Sequence, residues 1–452
     1  MQSLAGRAIL GTFFHAPSAD RLDILADALI EIAEDGVISR VTRRDDDGYA
    51  ERIVELGAAV ERLPAGHYGI PGFVDCHVHA PQYPQLAQAL DVPLEVWLGK
   101  YTFPLEARYA DLEFARPRYA ALVDDLLAIG TTTALYFGTV HLEATKLLAD
   151  LCIEKGQRAL VGKVVMDDPA SCPDYYRDAD AATGVAETRA LIEHVRGHRD
   201  NAAGRVLPVI TPRFIPSCTD ASLTALGALA GETGAHVQTH CSESDWAHSH
   251  VFARYGHTDA EALDRFGLLT RRTVLAHSNF LTDDDMSRVV RRGAGVAHCA
   301  LSNIYFANSV FPLREALQRH MHVGLGTDIS GGPSASMFEA CRATVQSSRM
   351  LEEGVDPALP AEKRGRPGSR IDLVTAFHVA TAGGGEALDL PIGRFEEGCH
   401  FDAVAIDTAA RDGGIRLFGE EKAEGVFEKI IYGATRANVA RVWVSGEDRR
   451  PA

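Results

Sequence analysis

Paired cysteines are missing from this chain. Its eight cysteines, Cys76, Cys152, Cys172, Cys218, Cys241, Cys299, Cys341 and Cys399, are scattered with no C-x-x-C pair. That excludes a zinc ribbon. In a chain of 452 residues it predicts reduced, buried thiols and a cytoplasmic protein. Long apolar runs are missing too. Nothing approaches the roughly 18 consecutive apolar residues of a membrane span. The opening MQSLAGRAILGTFFHAPSAD carries little positive charge and an early Asp20, so it reads as a mature strand and not a signal peptide. Positive charge is in deficit overall. Lys+Arg number 45 against 62 Asp+Glu, a formal net charge of −17. Such a chain repels phosphate backbones and anionic lipid surfaces, which argues against a nucleic acid polymer or a membrane as partner. Internal repeats and low-complexity tracts are absent as well.

What is present is enough apolar sequence, 46%, to bury a sizeable core. Short apolar runs alternate with helical stretches. GFVDCHVH (72–79), TTTALYFGT (131–139), RALVGKVVMD (158–167) and RVLPVITPRF (205–214) each read as a strand. So do HVQTHCSE (236–243), TVLAHSNF (273–280), GVAHCALSN (295–303) and HVGLGTDIS (322–330). Segments such as RPRYAALVDDLLAIG and DASLTALGALAGETG between them carry helical periodicity. This alternation predicts an α/β protein, a parallel (β/α)8 barrel over 69–385. A doubly wound open sheet would want a Gly-rich first turn, and the first strand ends in histidines instead. Residues 1–68 and 386–452 alternate short apolar runs with charged turns. They are expected to pair as one small β-sandwich built from both chain ends. The polar run 352–370 reads as a surface loop.

His77 and His79 sit at i, i+2 on the first strand, so both point to one face at the C-terminal mouth of the barrel. Asp75 shares that face, either as an acceptor for a ligand N–H or as a buried, satisfied polar group. A lone H-x-H is weak evidence for a metal site. Here the fifth strand ends in His240, the sixth in His277 and the eighth in Asp328, and together they predict a metal centre at the mouth.

PGFVDCHVH, the histidine-bearing strand ends, GTD and GRFEEGCHFDAVAID resemble the amidohydrolase superfamily over nearly the whole chain. DCHVHAPQYPQ, WLGKYTFPLE (97–106), TPRF (211–214), CSES (241–244) and AHSNF (276–280) resemble its guanine deaminase branch in particular. Related deaminases usually carry a proline where HCALSN has Ala300. GGPSASM after Asp328 also differs slightly from the commoner Gly-rich version.

The resemblance implies hydrolytic deamination of guanine to xanthine and ammonia, with another aminated heterocycle (a triazine, pterin or modified purine) as the alternative substrate. It implies a homodimer. Binuclear members of the superfamily bridge two metals with a Lys or Glu at a middle strand end. Here the fourth strand ends in Arg213, a permanent cation that cannot ligate, and Lys163 lies inside the third strand and reads as structural. One divalent metal is therefore expected on His77, His79, His240 and Asp328, with Zn²⁺ favoured and Fe²⁺ also suited to these ligands. Asp328, His277 and Glu243 form the expected catalytic group, Glu243 as the proton carrier. His240, Glu243 and Asp328 also face the substrate. Gln82, Arg213 and Phe214 are the expected specificity residues, with Phe214 or Trp97 packing on the flat ring.

Three look-alikes are set aside. His141 and Glu143 imitate an H-x-E motif but lack the P-C-x-x-C that goes with it. His248 and His250 lie in a helical stretch where i and i+2 diverge. Cys241 and Cys299 are expected to alternate away from the metal region as core thiols.

Overall fold

A computed structural model describes residues 3–451. Five N-terminal strands come first: β1 (Ala8–Ser18), β2 (Arg21–Ile32), β3 (Ile38–Thr42), β4 (Val60–Arg62) and β5 (His67–Pro71). Eight parallel strands follow: β6 (Phe73–His79), β7 (Thr131–Phe137), β8 (Arg158–Val165), β9 (Val206–Pro212), β10 (His236–Cys241), β11 (Thr273–His277), β12 (Gly295–His298) and β13 (His322–Leu325). They pair in chain order. The ring closes just beyond β13. There the Asp328 N–H donates to the His77 carbonyl, and the His79 N–H to the Ile329 carbonyl, both at 2.9 Å. All eight runs expected to be strands are strands of this barrel.

Burial follows from that closure. Every residue of β6, β7, β8, β10, β11 and β12 is buried. Parallel strands packed by side chains inside and helices outside have no wet face. Helix Leu112–Ala128 starts on the Asp111 side chain, which accepts from the Glu113 N–H, and lays Leu122, Val123 and Leu126 on the strands. Gly326 marks the tightest approach. A Cβ there would stand 2.7 Å from His77 Cβ and 3.0 Å from Cys299 Sγ, so only glycine lets the chain run from β13 to Asp328 this close to His77.

The seventh strand is shorter than its sequence suggests. It stops at His298, and Cys299 (φ −105, ψ 67) turns the chain into the helical turn Ala300–Ser302. The 352–370 run begins in the end of helix Met337–Glu353 and includes the single turn Ala361–Arg364, but is otherwise loop.

The two chain ends meet in a second, curled sheet. β14 (Ala403–Asp407) pairs antiparallel with β5 and with β15 (Val439–Val444), which carries the short β16 (Glu447–Asp448) at the edge. This sheet buries its own cluster, including Ile9, Phe13, Ile30, Phe401 and Trp443. Arg158 of β8 joins the two units through a buried 2.8 Å ion pair with Asp402, and also donates to Ser445 at 2.9 Å. Among the described residues, no helix is long and apolar enough to cross a membrane.

Candidate metal centre and substrate pocket

Four histidine rings converge at the C-terminal ends of β6, β10 and β11. His79 and His240 face each other Nε2 to Nε2 at 3.0 Å. The His77 ring lies edge-on to His79, His240 and His277, with centroids 4.8–5.3 Å away. Hydrogen bonds at the far side decide which nitrogen His240 and His277 offer. His240 Nδ1 meets the Arg213 carbonyl at 2.6 Å. A carbonyl can only accept, so Nδ1 carries the hydrogen and Nε2 keeps its lone pair. His277 Nδ1 does the same to Asn303 Oδ1 at 3.0 Å. Desolvation holds His77, His79 and His240 well below the usual imidazole range, so the rings are neutral.

Asp328 completes the ring. Its Oδ1 is 3.3 Å from His77 Nε2 and 3.7 Å from His79 Nε2, and its Oδ2 is 3.8 Å from His277 Nε2. The turns that aim these groups are unusual. His277, Ser278, Ser242 and Asp328 have φ between 45° and 67° without being glycine, a conformation found where a side chain must leave the end of an element.

The donor set fits a divalent cation. The Nε2 atoms of His77 and His277 are buried and find no hydrogen-bond partner among the described residues. The ligand atoms of His77, His79 and His240 lie within 4.8 Å of one another, as do those of His240, Glu243 and His277. Neutral imidazole lone pairs and carboxylates aimed at one point are what such an ion needs. Asp75 instead works on the backbone. It accepts from the Thr327 N–H at 3.0 Å, the Thr327 hydroxyl at 2.5 Å and the His77 N–H at 3.3 Å, and burial pushes its carboxyl up to about 7. It therefore ties β6 to the Asp328 turn.

Lys163 is remote from this cluster in its bonding. It is fully buried and paired with Asp178 and, at 3.2 Å, with Glu187. One expectation needs correction. Cys299 is buried, yet its sulfur lies within 4.8 Å of the ligand atoms of His77 and His277. Strand alternation placed it facing away, but β12 has already ended at His298, so alternation no longer applies. Burial among barrel residues holds the thiol in its neutral form. Cys241 does pack in the outer core.

A pocket opens beside the cluster, walled by His79, Gln82, Arg213, Phe214, Glu243 and Asp328. Trp97 and Phe306 pack at its rim with ring centroids 5.1 Å apart. Glu243 is buried, with one oxygen 3.6 Å from His277 Nε2. Desolvation, with the Asp328 charge beside it, pushes its carboxyl up to about 8. The loop carrying it is held from several sides. Asp259 accepts from the Ser242 N–H at 3.0 Å, and Asn279 donates its Nδ2 to the Glu243 carbonyl at 2.9 Å. His248 lies on helix Asp245–Tyr255 and pairs with that same Asp259 at 3.2 Å. His250 packs beside Trp246. Glu143 is an exposed partner of Lys146.

Arg213 is buried and lies in a bidentate pair with Glu106, at 2.6 and 3.2 Å. Gln82 donates to the same carboxylate at 2.8 Å. Glu106, Asn279 and Asn303 were not singled out from the sequence. Each nevertheless sits in a motif already read, the final residue of WLGKYTFPLE, the Asn of AHSNF and the Asn of HCALSN.

The amidohydrolase family profile matches residues 68–448. Guanine deaminase of Homo sapiens is 34% identical over 452 residues, covering 98% of this chain and 96% of that one. Guanine deaminase of Dictyostelium discoideum is 32% identical over 461 residues, covering 96% of each. The crystal structure of guanine deaminase from C. acetobutylicum, with guanine bound in its active site, superposes with a TM-score of 0.86 at 29% identity, covering 98% of this chain and 99% of that one. The histidine-ringed barrel mouth thus comes with full-length likeness to one enzyme group, and the chain belongs to the amidohydrolase family and, within it, to the guanine deaminases.

Proposed function

We infer that this enzyme hydrolyses the exocyclic C–N bond of guanine, releasing ammonia and leaving xanthine. The observation that carries the reading is one pocket with two unlike walls. On one side stand His79, His240, Asp328 and a buried Glu243, with the partnerless His77 and His277 nitrogens next to them. On the other stand Arg213 and Gln82, donors suited to a ring carbonyl.

His77, His79, His240 and Asp328 would hold one divalent ion, Zn²⁺ or Fe²⁺. Such an ion supplies Lewis-acid activation of water at neutral pH. The residues supply the rest. His277 presents a bare Nε2, so it accepts a hydrogen bond from the attacking water and orients it. Asp328 takes the first proton of that water as oxygen bonds to the amino-bearing carbon. Glu243, whose burial favours the protonated carboxyl, gives its proton to the neighbouring ring nitrogen, so no anionic ring has to form. Asp328 then passes its proton to the amino group. Ammonia leaves, the C–O bond becomes a carbonyl, and the hydroxyl proton returns to Glu243. Phe214 lies against His240 at 6.2 Å between centroids and flanks the flat ring.

Homodimer formation and a cytoplasmic location are further proposals. They rest on the family likeness and on eight buried, free thiols. Ammonia release from guanine, adenine, guanosine and an aminotriazine tests the function directly. Preference for guanine is expected. Preference for the triazine or the nucleoside overturns the substrate assignment.

A further inference from the structure

We propose that Glu106 is a positioning residue that makes this pocket select neutral oxo-purines over anionic ones. The proposal rests on the guanine reading above.

One buried carboxylate holds both specificity side chains. Glu106 Oε1 accepts from Gln82 Nε2 at 2.8 Å and from Arg213 Nη2 at 3.2 Å, and Oε2 accepts from Arg213 Nη1 at 2.6 Å. Glu106 itself is fully buried and stands behind the pocket wall that Gln82 and Arg213 form. It lies on the turn Phe103–Ala107, whose Phe103 ring also sits 5.0 Å beneath the Arg213 guanidinium. Gln82 Oε1 takes the Ser330 N–H at 3.1 Å. Turning the carboxamide over would break both of its bonds, so its free N–H has a fixed direction.

The charge consequence follows from the pairing. Among the described residues, Arg213 is the one cationic side chain lining the pocket. Unpaired, a buried guanidinium is a trap for an anion. Paired in both oxygens with Glu106, it still offers its remaining N–H groups, but the pair carries no net charge. Guanine is neutral at neutral pH and loses nothing by this. Xanthine, whose second carbonyl makes a ring N–H more acidic than those of guanine, loses the attraction its anion would have. The pair therefore favours substrate entry over product retention.

The experiment compares wild type, Glu106→Gln and Glu106→Asp at one neutral pH. Guanine turnover by wild type is measured first and tests the underlying reading alone. Inhibition constants follow for hypoxanthine, a neutral oxo-purine, and for urate, a monoanion. Glu106→Gln should weaken hypoxanthine about tenfold or more while urate binds as well as or better than before, moving their ratio by at least about tenfold towards urate. Glu106→Asp keeps the charge and shortens the reach. It should weaken both ligands and leave their ratio within about threefold of wild type. Metal content and Tm show whether each variant is folded, and if Glu106→Gln does not fold, Glu106→Asp still decides. Equal loss of both ligands in Glu106→Gln, or a ratio shift in Glu106→Asp as large as that expected for Glu106→Gln, overturns the proposal. Wild type that deaminates guanine while the variants behave in that way leaves the function standing and removes only Glu106 from it.

Discussion

The ring of His277 and the carboxamide of Asn303 are joined nitrogen to oxygen at 3.0 Å. Asn303 is in turn locked face to face with Asn279, donating at 2.8 Å and accepting at 3.1 Å. Asn279 then reaches the Glu243 carbonyl. A chain of buried amides thus fixes which nitrogen of His277 is bare and where the Glu243 backbone lies. Replacing Asn303 by Leu should cost about 10–100-fold in kcat, the usual effect of removing a partner behind a working histidine, with KM little changed. Steady-state kinetics on guanine check this, and an unchanged kcat would remove Asn303 from the machinery.

Glu243→Gln separates chemistry from binding. The amide keeps size and hydrogen bonding but cannot deliver and recover a proton. The variant should retain metal and bind guanine while kcat falls by at least about 10²-fold. Near wild-type turnover would show that Glu243 carries no proton.

The barrel was legible because its strands are uninterrupted apolar runs bounded by turn signals, and periodicity reports burial directly. The histidine ring was legible because a strand end at the barrel mouth has one inward direction. Glu106 was not, because nothing local distinguishes a buried Glu in PLE from a solvated one; its meaning comes from Arg213, 107 positions away. Cys299 was misread for a related reason. Alternation is a rule about strands, and the sequence does not mark that β12 ends one residue earlier. The register between Asn279 and Asn303 is likewise a product of two loops meeting in space.

One divalent ion per chain is expected by metal analysis, and His240→Ala should lose metal and activity together. Lys163 gives the contrast. Lys163→Met leaves Asp178 buried without its cation and should destabilise the fold by about 3–5 kcal/mol, yet leave metal stoichiometry near one. Two tightly held metals in wild type, or metal loss in Lys163→Met, would contradict the mononuclear arrangement.

Metal-free protein should have a stability maximum in the neutral range. Asp75 and Glu243 have folded pKa values of about 7 and about 8, above their ordinary values. Folding therefore favours their protonated forms, and that contribution shrinks as pH rises above about 4 and is gone once pH has passed 7 to 8. His77, His79 and His240 are held below theirs. Their unfolded rings take up protons that the folded ones refuse, so stability falls as pH drops below about 6.5. Tm of the chelated protein across pH 5 to 9 checks both limbs. Glu243→Gln should flatten the alkaline one, and a profile still falling as steeply there would refute the assignment.

Substrate choice is the sharpest test of the opposite wall. Arg213 and Gln82 present donors, which suit the oxo group of guanine and meet an amino group in adenine. A buried donor facing another donor is left unsatisfied, and such mismatches discriminate by about 10⁴-fold or more. Wild type should therefore leave adenine almost untouched. Arg213→Met removes the donors at similar length and should lower kcat/KM for guanine by about 10²-fold, the scale of a lost charged hydrogen bond. It also strands the Glu106 carboxylate, so the double variant Arg213→Met with Glu106→Gln gives the cleaner comparison of stability. Metal content should not change in either, because Arg213 meets the His240 ring only through its backbone carbonyl. Measured on guanine and adenine together, the Arg213 variants should narrow the gap between the two bases. A gap that stays at its wild-type width would mean that the oxo group is read by some other side chain.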